Sequence, residues 1–285
     1  MPHVINQDIA DKLREVADLL EQQDANPFRV NAYRRAANTI AMHLEDVTAL
    51  FEREGLDGLM ALPGIGRSIA SAIQQIVSTG RWPQLERLRG TLEPEQVFRS
   101  IPGVGPGLAQ RIHDTLQVDT LEALEIAAHN GRLEKVPGVG TRRAAMLRAA
   151  LASMLGRRRP RPDTEAGEPA VAALLDVDRE YRREADADRL RKIAPRRFNP
   201  SGEAWLPVLH TQRGDWEFTA LYSNTARAHE LGRVRDWVVI YYHTDNRPEG
   251  QCTLVTETHG VLAGRRVVRG REPECRTYYT EQSAA

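Results

Sequence analysis

One five-residue pattern is written three times in the first half of this 285-residue chain. Leu62-Pro63-Gly64-Ile65-Gly66 returns as Ile101-Pro102-Gly103-Val104-Gly105 and again as Val136-Pro137-Gly138-Val139-Gly140. The copies stand roughly 35 to 40 residues apart, the period of a repeated supersecondary unit. Proline fixes φ, and glycine permits backbone conformations that a Cβ forbids. Each copy follows a short helix-like stretch and precedes one rich in Ala, Ile, Leu and Arg. The first half must therefore accommodate three tight turns of one design, each opening a helix with its second glycine.

A turn of this kind has a chemical use. Its backbone N–H groups and the N-terminus of the following helix face outward with no Cβ before them. Together they make an anion site suited to one phosphate of a nucleic-acid backbone. The candidate contact residues are Gly64, Ile65 and Gly66, then Gly103, Val104 and Gly105, then Gly138, Val139 and Gly140. The apolar-Pro-Gly-apolar-Gly pattern resembles the helix-hairpin-helix motif, which binds DNA through phosphates without reading sequence. Pro-Gly turns with a purely structural role are the alternative, and three copies in register weigh against it.

The rest of the composition is less directive. Acidic and basic residues balance at 39 each, so any basic surface must be local. Lys12, Lys135 and Lys192 are the lysines; every other basic side chain apart from histidine is arginine. Cys252 and Cys275 form neither a CxxC pair nor a disulfide framework. No apolar run approaches the ~20 residues of a membrane span. Met1 to Ile9 lacks the apolar core of a signal peptide. A soluble, cytoplasmic protein with no membrane partner is expected.

Apolar positions at Ile9, Leu13, Val16, Leu19 and Leu20 predict an amphipathic helix over 5–24, with Asn6 as its N-cap. A turn and helix follow in Asn26-Pro27-Phe28-Arg29-Val30-Asn31-Ala32-Tyr33-Arg34-Arg35-Ala36-Ala37. Residues 45–60 hold one or two short helices broken near Gly55. The first Pro-Gly turn leads into a helix from about Gly66 to Ser78, which Gly80 terminates. The unit repeats over 94–115 and 132–155, with a helix opened by Asp119-Thr120-Leu121-Glu122 between them.

In order and content, the stretch from Asn26 to Ala37, the first turn, the helix end at Ser78-Thr79-Gly80-Arg81 and the two later turns resemble the family X DNA polymerases, the bacterial members above all. The likeness covers about residues 5–155, the lyase-type and fingers region of that family. It implies that the first turn grips the strand downstream of a gap and the second the strand carrying the primer end. It implies a 5′-phosphate pocket at Arg29, Tyr33, Arg34 and Arg67. It also implies a monovalent cation, Na+ or K+, on backbone carbonyls of Met60, Leu62 and Ile65, and of Arg99, Ile101 and Val104. An ordinary solvated helix face with a tyrosine at the core edge is the alternative reading of the pocket residues.

Two departures limit the carry-over. The family's lyase lysine falls at Ala72 and a neighbouring lysine at Ser68, so the amine that a Schiff base requires is missing. No strong 5′-deoxyribose-phosphate lyase activity is expected. A polymerase palm needs a strand with an Asp-x-Asp pair to hold two metal ions. The Asp-x-Asp pair Asp176-Val177-Asp178 runs into Arg179-Glu180-Tyr181-Arg182-Arg183-Glu184 and reads as a solvated helix face. The chain is also short for palm and thumb, and polymerase activity is not expected.

Residues 156–169 read as an Arg/Pro linker, which either adds phosphate contacts or serves as a soluble hinge. Beyond it, 170–192 look helical and several aromatic and β-branched runs read as strands: Trp205–His210, with Pro207 placing it at an edge, Trp216–Tyr222, Trp237–Tyr242, Thr253–Thr258, and a return through Arg265–Val268. Ser223–Leu231 reads as a short helix. The predicted architecture is an all-α helix-hairpin-helix domain (1–155) and, after the linker, an α+β domain (170–285) with a mainly antiparallel sheet.

The arginines of Gly264-Arg265-Arg266-Val267-Val268-Arg269-Gly270-Arg271 suggest a local basic patch, with Trp237, Tyr241 and Tyr242 as stacking or core residues; solvent-facing arginine on an edge strand is the alternative. The leading expectation is a sequence-independent binder of gapped, nicked or branched DNA in repair or recombination, with a repair protein as a candidate partner. One rival is a DNA-processing nuclease or lyase whose C-terminal domain carries the chemistry, with His210, Glu257 or Cys275 as first suspects. The other makes the C-terminal domain an interaction adaptor.

Overall fold

The computed structural model describes residues 4–155, 167–245 and 247–284. These form two compact units: residues 4–155 with 243–245 and 247–249, and residues 167–242 with 250–284. The expected Arg/Pro linker lies outside the described residues except for 167–169.

The first unit is built from nine helices in the stretch 4–155: α1 (Val4–Gln22), α2 (Pro27–Met42), α3 (Val47–Met60), α4 (Arg67–Thr79), α5 (Pro83–Leu88), α6 (Pro94–Arg99), α7 (Pro106–Leu116), α8 (Leu121–His129) and α9 (Thr141–Met154), with a 3-10 turn at Arg132–Lys135. The amphipathic stripe of α1 buries Ile9, Leu13, Val16 and Leu20 against Val30, Tyr33, Ala37 and Ile40 of α2. A second apolar cluster, from Val97 to Leu155, joins α6 to α9. Glycine ends α4, Gly80 adopting the left-handed conformation at φ 70°. Gly55, at φ 66° and ψ −149°, kinks α3 as the sequence predicts.

Asn6 is not the N-cap of α1. It lies inside the helix and is fully buried. Its Nδ2 donates to the carbonyls of His43 and Glu45 at 3.3 and 2.8 Å, and its Oδ1 accepts from the N–H of Val47 at 2.9 Å. The side chain therefore takes up backbone groups of the connection between α2 and α3 and ties it to α1.

In the second half of the chain α10 (Val171–Asp186) is followed by β1 (Arg191–Ile193), β2 (Leu206–Arg213), β3 (Trp216–Tyr222), α11 (Ala226–Glu230), β4 (Val238–Thr244), β5 (Arg247–Thr256), β6 (Arg266–Val268) and α12 (Glu272–Ala284), all in the second unit but for residues 243–244 of β4 and 247–249 of β5. The six strands form one antiparallel sheet in sequence order. The α+β architecture is the one that the sequence predicts. Helix α10 packs on β2, β3 and β6, and α12 on β6 and α10. The core beneath them includes Leu174, Val177 and Tyr181 from α10, Phe218 and Ala220 from β3, and Leu254, Val267 and Val268 from the far end of the sheet.

Two expectations need correction. The Pro207 strand is not an edge, because β1 lies outside it and pairs Lys192 with Pro207. The proline is accommodated at the start of β2, where the ladder to β3 has not yet begun. Its first rung joins Val208 to Leu221. One step beyond, the Tyr181 hydroxyl donates to Pro207 O at 3.0 Å and accepts the Tyr222 N–H at 2.8 Å. The Asp-x-Asp pair also departs from its reading. It lies on α10, as expected, and Asp176 is half-buried and paired with Arg179 and Arg213, but Asp178 is fully buried.

Candidate nucleic-acid interface

The three Pro-Gly turns share one geometry. In each, the N–H of the fourth residue donates to the carbonyl of the first: Ile65 to Leu62 at 3.1 Å, Val104 to Ile101 at 3.1 Å and Val139 to Val136 at 2.9 Å. Gly64, Gly103 and Gly138 have φ of 75°, 84° and 84°. Proline followed by a positive-φ glycine, closed by this bond, is a type II turn. The apolar residue after it faces inward, and Ile65, Val104 and Val139 are all buried. That anchor fixes the turn to the core while the flanking glycines stay exposed.

The second glycine of each pattern plays a different part. Gly66, Gly105 and Gly140 are N-caps of α4, α7 and α9 in ordinary extended conformation, with φ near −80° to −86°. No side chain caps any of these helices. A Cβ added to Gly105 or Gly140 would meet nothing within 4 Å. Neither backbone strain nor internal packing therefore demands glycine there. The space left by the missing side chain lies outside the protein, before helix N-termini whose amides and dipole favour an anion.

Basic side chains surround these positions. Thr39 of α2 holds the first turn by donating its hydroxyl to Pro63 O at 2.8 Å. One helical turn earlier, Arg35 is exposed, and a Cβ added to Gly64 would lie 3.8 Å from its own Cβ. Arg67 follows the first turn and Arg142 the third, both exposed. Among the described residues, Arg35, Arg67 and Arg142 make no hydrogen bond or ion pair. Arg111 of α7 donates its Nε to Pro137 O at 2.9 Å, and Arg143 its Nη1 to Gly138 O at 3.0 Å. Both arginines are thereby bound to the third turn.

The residues of the implied 5′-phosphate pocket are placed differently from one another. Tyr33 is buried, its hydroxyl donating to Gln84 Oε1 at 3.1 Å and its ring 5.9 Å from that of Trp82. Arg29 is buried as well, and its charge acts on Tyr33. Arg34 turns toward α1, where it bonds Glu21 at 2.7 Å and Asp18 at 3.3 Å. Arg67 is exposed beside the turn. The sequence reading passed over Arg35, although its i,i+4 relation to Thr39 places both on the face of α2 that meets the turn. At the lyase position, Ala72 is a buried residue of α4.

The tandem of second and third turns is braced by a charged histidine. His113 of α7 is buried; its Nδ1 lies 3.1 Å from Glu95 Oε1 and its Nε2 2.9 Å from Asp119 Oδ1. Burial alone would lower its pKa. The hydrogen bonds and charges of Asp119 and Glu95 outweigh it and raise the pKa to about 9. The imidazolium thus joins α6 and α7 to the segment before α8.

The second unit does not gather the expected suspects. His210 is on β2, Glu257 follows β5 and Cys275 is on α12. Two strands separate β2 from β5, or ~14 Å at the usual strand spacing. Glu257 accepts the N–H groups of Thr258 and His259 at 2.7 and 3.2 Å, which hold its carboxyl below the usual range despite the opposing effect of burial. Cys275 is buried, its Sγ accepts the Val268 N–H at 3.3 Å, and burial pushes its thiol up. Among the described residues no group of histidines, cysteines and carboxylates has metal-binding geometry.

The arginines at 265–271 are spoken for. Arg266 bonds Asp178 and Asp236, Arg269 approaches Glu257 at 3.3 Å and Arg271 pairs with Glu274 and Glu168. Arg265 lies over the Tyr279 ring, 5.0 Å from its centre. The expected basic patch is therefore largely neutralised from within. Tyr241 and Tyr242 are buried in the core, with Trp237 packed against it.

The first half of the chain is thus defined as a helix-hairpin-helix region. Residues 4–82 match the family model "Helix-hairpin-helix domain" and residues 95–153 match "SAM-like Helix-hairpin-helix tandem". The chain is 28% identical over 145 residues to the DNA polymerase/3′-5′ exonuclease PolX of Bacillus subtilis (strain 168), covering 50% of this chain and 24% of that protein. The likeness is to a helix-hairpin-helix region, and among the described residues no strand carries the Asp-x-Asp pair that a polymerase palm requires. Among the described residues no helix is long and apolar enough to cross a membrane.

Proposed function

We propose that this protein binds DNA by backbone phosphates, without sequence preference, and acts at gaps, nicks or branches in repair or recombination. The observation that carries the reading is the geometry of Gly105 and Gly140: glycine where the protein needs none, in front of an uncapped helix. The likeness to PolX supports a repair setting. At the first turn, Gly64, Ile65, Gly66, Arg67 and Arg35 would meet the 5′-phosphorylated strand, with Arg29, Tyr33 and Arg34 supporting them. The second and third turns would hold the other backbone through Gly103, Val104, Gly105, Gly138, Val139 and Gly140. The carbonyls of Leu62 and Ile101 each accept one turn bond and keep a second lone pair, which suits Na+ or K+ at each hairpin, on the carbonyls of Met60, Leu62 and Ile65 and on those of Arg99, Ile101 and Val104.

The test is a titration of the full chain on single-stranded, duplex, nicked and 5′-phosphorylated gapped DNA, with magnesium present and the strands resolved afterwards on a denaturing gel. Tighter binding to the phosphorylated gap with all strands intact is the expected result. Equal affinity for gapped and unbroken duplex overturns the structural preference, and absence of binding overturns the reading. Replacing K+ by tetramethylammonium at constant ionic strength should weaken binding if the cation bridges turn and phosphate.

A further inference from the structure

We propose that Phe198 of the second unit is a stacking platform for an unpaired nucleobase of single-stranded DNA. This deepens the DNA-binding reading above and rests on it.

The ring stands in the connection between β1 and β2, in the segment Pro195-Arg196-Arg197-Phe198-Asn199-Pro200. It is 46% exposed. Its backbone adopts φ 52°, a left-handed conformation that bulky residues avoid and that burial of the ring does not offset here. The segment is nonetheless well tied: Asn199 Nδ2 donates to Glu203 O at 2.8 Å and Pro195 is buried. The chain thus holds an aromatic ring at the surface in a strained conformation.

Behind that ring is a built support. The His229 ring of α11 lies against Phe198, with 4.4 Å between centroids and 33° between planes. Trp205 meets His229 edge-on at 6.4 Å. Asn224 fixes the arrangement: its Nδ2 donates to Arg197 O at 3.0 Å, so its Oδ1 must accept, and His229 Nε2–H donates to it at 2.6 Å. Burial first, and the Arg197 charge second, lower the pKa of His229, which keeps the imidazole neutral at physiological pH. Three rings, the half-buried Trp205 and His229 and the exposed Phe198, therefore stand in contact in that order.

At the outer end the Arg197 guanidinium sits 5.3 Å from the Phe198 ring centre. A planar cation on an exposed ring occupies the place that a planar base would take. Base stacking on an aromatic residue is the stronger of the two contacts, so a base can take the place of the guanidinium on the ring. Arg196 is exposed on the segment and Arg227 on α11, where its guanidinium lies 3.5 Å from Glu230. A DNA gap or a single-stranded end supplies the unpaired base; intact duplex does not.

The experiment uses the full chain and two ligands: a gapped duplex with 2-aminopurine at one unpaired position, and the same duplex with the gap filled and nicked. Stacking quenches the probe, so wild-type protein should quench it on binding the gap. Phe198→Ala should abolish the quenching and weaken gap binding roughly five- to hundred-fold, while Phe198→Trp restores both. Affinity for the filled, nicked duplex should stay within about two-fold, the scatter of a surface substitution. Unchanged quenching or gap affinity in Phe198→Ala overturns the platform, and the exposed ring then belongs to a protein contact. Equal losses on both ligands overturn it too, because they assign Phe198 a structural role. If the wild type binds neither ligand, the DNA-binding reading has failed and the platform with it. Nicked-duplex binding that is indifferent to Phe198, without probe quenching, defeats the platform alone.

Discussion

Arg266 closes its guanidinium on the buried carboxylate of Asp178, Nη2 to Oδ1 at 2.6 Å and Nε to Oδ2 at 2.9 Å, across 88 residues of chain. Its remaining nitrogen reaches Asp236 Oδ1 at 2.9 Å and Thr256 Oγ1 at 3.2 Å. One of the two acids that could suggest a metal-binding pair is thereby committed to joining α10 to β6. Asp178→Asn should destabilise the protein by about 3 kcal/mol, because it leaves a largely buried guanidinium half-answered. Chemical denaturation checks this. Replacing both partners, with Asp178→Leu and Arg266→Met together, should recover most of the loss.

The two glycines of each turn should respond differently. Gly105→Ala and Gly140→Ala place a Cβ where nothing in the protein opposes it, so stability should fall only by the poorer N-cap preference of alanine, about 0.5 kcal/mol, while DNA affinity falls at least ~10-fold, the loss of one or more charge-assisted phosphate contacts. Gly103→Ala and Gly138→Ala force a Cβ into φ 84° and should cost about 1–2 kcal/mol of stability. Thermal melts paired with binding titrations separate the two. Equal affinity in wild type and the Gly105 and Gly140 variants would remove the phosphate reading.

Arg35→Ala should weaken DNA binding more than Arg34→Ala. Arg34 already answers Glu21 and Asp18, whereas Arg35 stands at the turn without an ion-pair partner among the described residues. The measurement is the slope of log affinity against log salt, which should shrink by about 1 for Arg35→Ala and less for Arg34→Ala.

His113 makes the stability of the first unit depend on pH. Its pKa is raised from 6.5 to about 9 by Asp119 and Glu95, against the opposing effect of burial. A raised pKa means that the folded state holds the proton more tightly. The stabilisation is therefore complete below about pH 6.5 and is lost progressively as pH rises through about 9, up to about 3 kcal/mol in all. Denaturation at pH 6, 7.5, 9 and 10 should show the decline, and His113→Gln should flatten it.

The turns were legible in the sequence because their chemistry is local: proline, a positive-φ glycine and an inward apolar residue lie within five positions. Local reading failed where the partner is remote. Nothing near Asn6 announces that it satisfies the backbone at His43, Glu45 and Val47. The charged neighbours of Asp178 suggest a wet helix face, yet Arg266 draws it inside. Pro207 reads as an edge because β1, three residues long and rich in charge, carries no strand signal. The basic run at 265–271 is countered by acids from α10, α12 and the turn after β5. Phe198 was hidden because its exposure and its left-handed backbone are properties of the folded loop, not of its neighbours in sequence.

The Tyr181 phenol has a consequence for how the second unit comes together. At the end of the β2–β3 ladder, where proline has no N–H to offer, a side chain from α10 takes the place of a rung. Until that helix is seated, the Pro207 carbonyl and the Tyr222 amide have no partner in each other, and the sheet's second and third strands stay open at one end. The helix is a clasp, not a lid: the sheet is finished only when α10 arrives, so isolated strands without residues 171–186 should not hold this end of their register.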